Sequence, residues 1–164
     1  MADRIRMRIT AQVESVPLMN EIVDFTPPEV KAKLANNEGA FVASEDTVGL
    51  EKLSWSLKVK GEHGVLSRSL GKYTMGNAQI NVVEKGKSTD GIPYVETYSM
   101  YGPITAIKKE AVKMGEKPTI TIEGTCKAYT QHDTGIIVHD INVNTGKTIV
   151  GGVDLMGLAG IISI

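Results

Sequence analysis

Cysteine is almost missing from this sequence: Cys126 is the single example in 164 residues. No disulfide can therefore form within the chain, and the composition fits a protein made in a reducing cytosol, where a lone thiol is buried and inert by default. No run approaches the ~20 apolar residues of a membrane-spanning helix. The opening Met1-Ala2-Asp3-Arg4 puts charge where a signal peptide carries its apolar stretch. Charge of one sign is lacking too, since eighteen Lys and Arg face nineteen Asp and Glu for a net −1. Tight nucleic-acid binding rests on basic residues that neutralise phosphates, and this balance disfavours it. Aromatic residues make up only 5% of the chain, and one of them, Trp55, is unique.

What is present is short-period alternation. Ile5, Met7, Ile9, Ala11 and Val13 alternate with Arg4, Arg6, Arg8, Thr10 and Gln12, the pattern of a half-buried strand. After Pro27-Pro28, which forbids a helix, Val30, Ala32 and Leu34 predict a short edge strand. Residues 36–48 are rich in Asn, Gly, Ser and Asp without a period, and are expected to form a surface loop. Leu53, Trp55, Leu57 and Val59 then alternate with Ser54, Ser56, Lys58 and Lys60, with Trp55 as a core anchor. Between Gly61 and Gly76 the spacing of Val65, Leu66, Leu70 and Tyr73 predicts one short amphipathic helix over Glu62–Tyr73. Ala78, Ile80 and Val82 open another strand, and 86–91 reads as a turn into Tyr94–Ile107. Ile120, Ile122, Gly124, Cys126 and Ala128 alternate with Thr119, Thr121, Glu123, Thr125 and Lys127 in a β-branched strand. Asp133-Thr134-Gly135 and Asn144-Thr145-Gly146-Lys147 predict hairpin turns. Six or seven strands and one helix in a chain of this length predict a single mainly β domain over residues 1–164, a sandwich or small barrel, with an N-terminal strand or arm over 1–20 and a C-terminal arm over 155–164.

Signatures of catalysis are sparse. His63, His132 and His139 lack the spacing of a metal pair and have no second ligand cluster, so they read as surface hairpin residues. Asn144-Thr145-Gly146-Lys147-Thr148 resembles the end of a phosphate loop, but Ile141 stands where such a loop needs glycine and no helix follows. No Gly-x-Ser-x-Gly elbow is present. Glu96 and Glu123 could form a carboxylate pair only if their strands faced each other. A non-enzymatic role with no cofactor and no metal is the expectation.

The C-terminus is more informative. From Leu155 to Ile164 ten residues carry no charge. Burying their six large apolar side chains, Leu155, Met156, Leu158, Ile161, Ile162 and Ile164, gains roughly 9–18 kcal/mol. Ordering ten residues costs about 10–20 kcal/mol. The segment is thus marginal alone and needs a covering surface. Contacts between subunits are the first expectation and a final core element of the same subunit the second.

Four stretches carry a resemblance: Thr26-Pro27-Pro28-Glu29-Val30-Lys31-Ala32-Lys33, Val48-Gly49-Leu50-Glu51-Lys52-Leu53, Tyr101-Gly102 through Lys117, and Asp140-Ile141 through Gly152-Val153-Asp154-Leu155. In this order they are similar to the major tail tube proteins of contractile-tailed phages and R-type bacteriocins. The resemblance implies a structural virion protein whose six-subunit rings stack into the inner tube of a contractile tail, a conduit for DNA ejection. It implies as partners further copies of itself, the tail sheath subunit, a baseplate or tube initiator and a tail terminator, with DNA passing through without specific binding and no membrane. The virion tail is the implied location, with assembly in the host bacterial cytoplasm. Four strands per subunit, about Glu29–Leu34, Leu50–Lys60, Val95–Ile107 and Thr119–Tyr129, would line the lumen, pointing Ser54, Ser56, Lys58, Thr119, Thr121, Glu123 and Thr125 into a neutral to acidic bore. The 36–48 loop and the 155–164 arm would make contacts between rings or subunits. The alternative is a monomeric β-sandwich ligand-binding module that uses this loop with Tyr94, Tyr98 and Tyr101.

Overall fold

The computed structural model describes residues 3–14, 16–18, 21–37, 39, 41–42, 44–61, 75–111 and 113–155. Fourteen strands are present among them, twice the expected number: β1 Arg4–Val13, β2 Val16–Leu18, β3 Glu21–Thr26, β4 Ala32–Asn37, β5 Ser44–Leu50, β6 Ser54–Lys60, β7 Ala78–Ser88, β8 Pro93–Gly102, β9 Ile104–Lys109, β10 Thr119–Thr125, β11 Ala128–Asp133, β12 Ile136–Asn142, β13 Thr148–Val150 and β14 Val153–Asp154. They form an eight-stranded sheet in the order β14-β13-β12-β11-β8-β7-β1-β2, a four-stranded sheet in the order β3-β6-β10-β9, and the separate pair β4-β5. The helix predicted over Glu62–Tyr73 lies outside the described residues.

The two larger sheets bury one core between them. Val13, Ile80, Val82, Met100 and Tyr129 come from the eight-stranded sheet, and Trp55, Leu57, Val59, Ile104, Ile120 and Ile122 from the four-stranded one. Strict alternation in β6 and β10 puts every second side chain into this layer. The sandwich expectation is met.

Two long strands read from the sequence are each divided between the sheets. The chain leaves β8 at Gly102, turns at Pro103 and enters β9 in the smaller sheet; the Thr119–Tyr129 run likewise ends β10 at Thr125 and starts β11 in the larger sheet at Ala128. The two corners lie against each other: the Lys127 N–H donates to the Tyr101 carbonyl at 2.6 Å and the Thr125 N–H to the Pro103 carbonyl at 3.2 Å. A Cβ at Gly102 would collide with the Thr125 carbonyl, so the crossing needs glycine there. At the first corner the alternation continues unbroken, Met100, Gly102 and Ile104 all being buried, because both sheets face one core; at the second it inverts, buried Cys126 being followed by buried Tyr129.

In β1 the expected parity holds for only half the strand. The pairing of β1 with β7 shifts register between Arg6 and Arg8, a bulge that inserts one residue and reverses the facing. Ile9, Ala11 and Val13 point to the core, whereas Ile5 and Met7 are 51% and 66% exposed.

The loop expected over 36–48 is largely strand. β4 and β5 pair from Ala32↔Leu50 to Asn37↔Ser44, and the Glu51 N–H closes the base on the Lys31 carbonyl at 2.7 Å. This hairpin pairs with neither larger sheet. Of its described side chains only Ala32 and Leu50, at its base, are partly buried, and it has no period-two apolar pattern to read. The edge strand expected around Val30–Leu34 belongs to it. The turn expected over 86–91 is shorter, because β7 runs on to Ser88.

Candidate functional site

The four-stranded sheet turns its second face away from the core. All seven side chains expected to line a bore lie there: Ser54, Ser56 and Lys58 alternate with buried Trp55, Leu57 and Val59, and Thr119, Thr121, Glu123 and Thr125 alternate with Ile120, Ile122 and Gly124. They are cross-strand neighbours, with Ser54↔Thr125, Ser56↔Glu123, Lys58↔Thr121 and Lys60↔Thr119 in register. The flanking strands differ from expectation. Glu29–Leu34 is not in this sheet; β3 occupies that edge and β9 the other. β3 escaped notice because a register shift between Ile22 and Asp24 breaks its alternation.

Lys58 is the one cation among these seven residues. In the sheet it pairs directly with Asp24 on one side and Thr121 on the other. The Thr121 hydroxyl donates to Glu110 Oε1 at 2.6 Å. That hydrogen bond, with the charges of Lys108 and Lys58, holds the Glu110 carboxyl below its ordinary range. Lys58, Lys60 and Lys108 on this face are thus set against Asp24, Glu123 and Glu110, and Lys109, Lys113, Glu116 and Lys117 stand at its rim, so the surface carries charges of both signs.

A second polar constellation was not anticipated. Beyond the reach of the smaller sheet, Glu84 is buried and accepts from Arg6 Nε at 2.7 Å and from the Tyr94 hydroxyl at 2.9 Å. Arg4 donates to Glu96 at 3.2 Å and Asp133 at 3.0 Å, and its guanidinium lies 4.6 Å above the Tyr94 ring. The Tyr98 hydroxyl donates to Glu96 at 2.7 Å, and burial followed by that bond raises its pKa. The β1 bulge brings Arg4 and Arg6 to this side. The sequence signal was Glu84 and Glu96 standing at inward positions of otherwise apolar alternations, Ala78-Ile80-Val82 and Tyr98-Met100.

The remaining candidates do not converge. Glu96 lies in β8 and Glu123 on the outer face of β10, in different sheets. Tyr94 and Tyr98 are buried while Tyr101 is 37% exposed on the opposite face of β8, so the three share no surface. His132 and His139 lie in the β11–β12 hairpin, where His139 Nδ1 accepts from the Gly151 N–H at 3.2 Å. His63 is outside the described residues. Asn144 to Lys147 is a hairpin turn, with Asn142 Oδ1 accepting from the Asn144 and Thr145 N–H groups at 2.9 and 3.2 Å. Burial pushes the Cys126 thiol up to about 12, consistent with an inert residue.

Of the expected contact segment, Leu155 is 39% exposed, and Met156, Leu158, Ile161, Ile162 and Ile164 lie outside the described residues. Leu155 lines an apolar cleft of about 530 Å³. In the region between β4 and β5, Phe41 is fully exposed and Val42 72% exposed.

No curated protein matched the chain. In fold it is similar to a chain of the PVC sheath–tube complex, from an extracellular contractile injection system in its extended state, with a TM-score of 0.55 at 7% identity over 76% of this chain and 88% of that one. It is also similar to a chain of the PVC sheath/tube terminator structure, with a TM-score of 0.53 at 7% identity over 76% and 93%. The family model described as phage tail tube protein FII matches residues 7–158. The chain therefore belongs to the phage tail tube protein FII family, and its role is that of a structural tail tube protein.

Proposed function

We propose that the chain acts as one tail-tube domain, residues 1–164, whose copies close into six-membered rings that stack as the inner tube of a contractile tail. The polar face of β3-β6-β10-β9 forms the wall of the bore, with Ser54, Ser56, Lys58, Thr119, Thr121, Glu123 and Thr125 in contact with its contents. The observation that carries this reading is the alignment of these seven residues on one sheet face, with Lys58 set between Asp24 and Thr121. A hydroxyl-rich wall whose lysines stand beside carboxylates lets a polyanion slide, because lysines so offset hold phosphates weakly.

The outer edges of β3 and β9 have no strand partner among the described residues. Joining copies there removes an exposed sheet edge and closes a ring. The 36–48 region and the apolar stretch Leu155, Met156, Leu158, Ile161, Ile162 and Ile164 supply further contacts between copies. The partners of this assembly are the sheath subunit, a tube initiator or baseplate, and a terminator. Its place is the virion tail, assembled in the host cytoplasm, and its role needs no catalysis. The relatives in fold come from a sheath–tube complex and a sheath/tube terminator, which supports the partner assignment.

Negative-stain microscopy and sedimentation of the concentrated protein test this reading. Rings or hollow tubes are expected. A chain that stays monomeric even with a tube initiator present contradicts it.

A further inference from the structure

We infer that the acidic strand of the β4–β5 hairpin docks on the lysine-rich end of the four-stranded sheet of a second copy, making the two ends of the subunit electrostatic counterparts. The inference rests on the stacked assembly proposed above and names the surface on which the hairpin lands.

The two surfaces belong to opposite ends of one sheet. Ser54 and Thr125 form one end of the β6–β10 pair and Lys60 and Thr119 the other, about 20 Å away. The hairpin leaves from the first end: its base closes between Lys31 and Glu51, and just beyond it the Leu53 carbonyl accepts from the Cys126 N–H at 2.9 Å. Away from this base the hairpin pairs with neither sheet, and Leu34, Ala35, Asn36, Ser44 and Glu45 are all exposed. From Leu34 to Glu51 the sequence holds no Lys or Arg. Glu45 and Asp46 occupy the positions opposite Asn36 and Ala35.

The far end of the sheet has the opposite sign. Lys58, Lys109, Lys113 and Lys117 surround an open depression of about 430 Å³, with Glu110 and Glu116 as its only acidic lining residues. Glu110 already accepts from the Thr121 hydroxyl, and Asp24 stands across from Lys58 in the pairing of β3 with β6. Lys109 and Lys113 are exposed, and neither they nor Glu45 has an ion-pair partner among the described residues. Because the hairpin leaves from the other end and stands clear of both sheets, these charges do not meet within one subunit. Copies placed head to tail bring them together. A contact between two different patches repeats from copy to copy without being self-paired, so it gives a stack a direction. Complementary charge sets register and partner choice, and like charges brought face to face oppose docking.

Charge reversal in the full chain tests the contact, with sedimentation and electron microscopy reading assembly and Trp55 fluorescence confirming the fold. Glu45→Lys with Asp46→Lys, and separately Lys109→Glu with Lys113→Glu, should each raise the concentration needed for stacking roughly tenfold while single rings persist. A chain carrying all four changes restores opposite signs and should stack at the wild-type concentration. Stacking of either half-reversed chain at that concentration overturns the inference, and so does a four-fold variant that forms rings but does not recover; both results leave the tube reading standing. A wild-type chain that forms no rings sinks the tube reading instead. Carbodiimide cross-linking of the concentrated wild type then decides the contact alone: an intermolecular amide from Glu45 or Asp46 to Lys109 or Lys113 supports it, and the lack of one overturns it.

Discussion

Gly124 lies directly opposite Trp55 in the pairing of β10 with β6, and a Cβ built on Gly124 would sit 2.7 Å from the indole ring. The glycine is thus the space that lets the one tryptophan lie flat in the core at 3% exposure. Gly124→Ala forces the ring or the strand to move, and a cost of about 1–3 kcal/mol is expected from overpacking. Chemical denaturation of the unassembled subunit checks this, and a neutral or stabilising effect contradicts it.

Among the described residues Glu84 is the charged group held deepest, with Arg6 and Tyr94 as its partners. Glu84→Ala should destabilise by roughly 1–3 kcal/mol because it leaves a buried hydroxyl without its acceptor. Arg6→Ala should cost less, since Arg6 is 60% exposed and solvent screens the pair. A double-mutant cycle reads their coupling; a value indistinguishable from zero means the contact contributes nothing.

These two sites also show what the sequence could disclose. The alternation around Trp55 and Ile122 identified β6 and β10 with both of their faces, because a strand half buried in one core must carry a period of two. Where the local geometry breaks that period the signal fails. One inserted residue near Met7 sent Ile5 and Met7 outward and drew Arg4 and Arg6 onto Glu96 and Glu84. A similar shift hid β3, and with it the partner that Asp24 gives Lys58. The crossing at Gly102 stayed invisible because residues on either side keep one parity toward the same core, and that at Cys126 because Ala128 continues the apolar alternation in sequence although Tyr129 is the residue turned inward. The β4–β5 hairpin had no pattern because, among its described side chains, only Ala32 and Leu50 at its base are partly buried.

His139 makes stability depend on pH. Its Nδ1 accepts the Gly151 N–H, and burial holds its pKa below the ordinary 6.5. The unfolded chain therefore takes up this proton first. The contribution of His139 is complete above about pH 6.5 and is lost as pH falls toward the lower folded-state value. The melting temperature of the wild type should fall more steeply between pH 7 and pH 5 than that of His139→Asn, whose amide oxygen can still accept. Equal slopes contradict the assignment.

The proposed wall of the bore can be probed by size-selective labelling. With Cys126→Ser as background, Ser56→Cys in assembled particles should react with a small maleimide but not with one carried on a polymer too wide to enter. The same cysteine in dispersed subunits should react with both. Reaction of the assembled form with the wide reagent places Ser56 outside the bore.

The central claim is that β3-β6-β10-β9 is the inner wall of an assembled tube. A cryo-EM reconstruction of that tube at strand resolution tests it most directly. The account predicts a hollow particle whose innermost layer is this sheet, joined from copy to copy through β3 and β9, with Ser56, Thr121 and Glu123 facing the bore. A tube with the eight-stranded sheet innermost, or with Trp55 and Ile122 turned toward the bore, would contradict it.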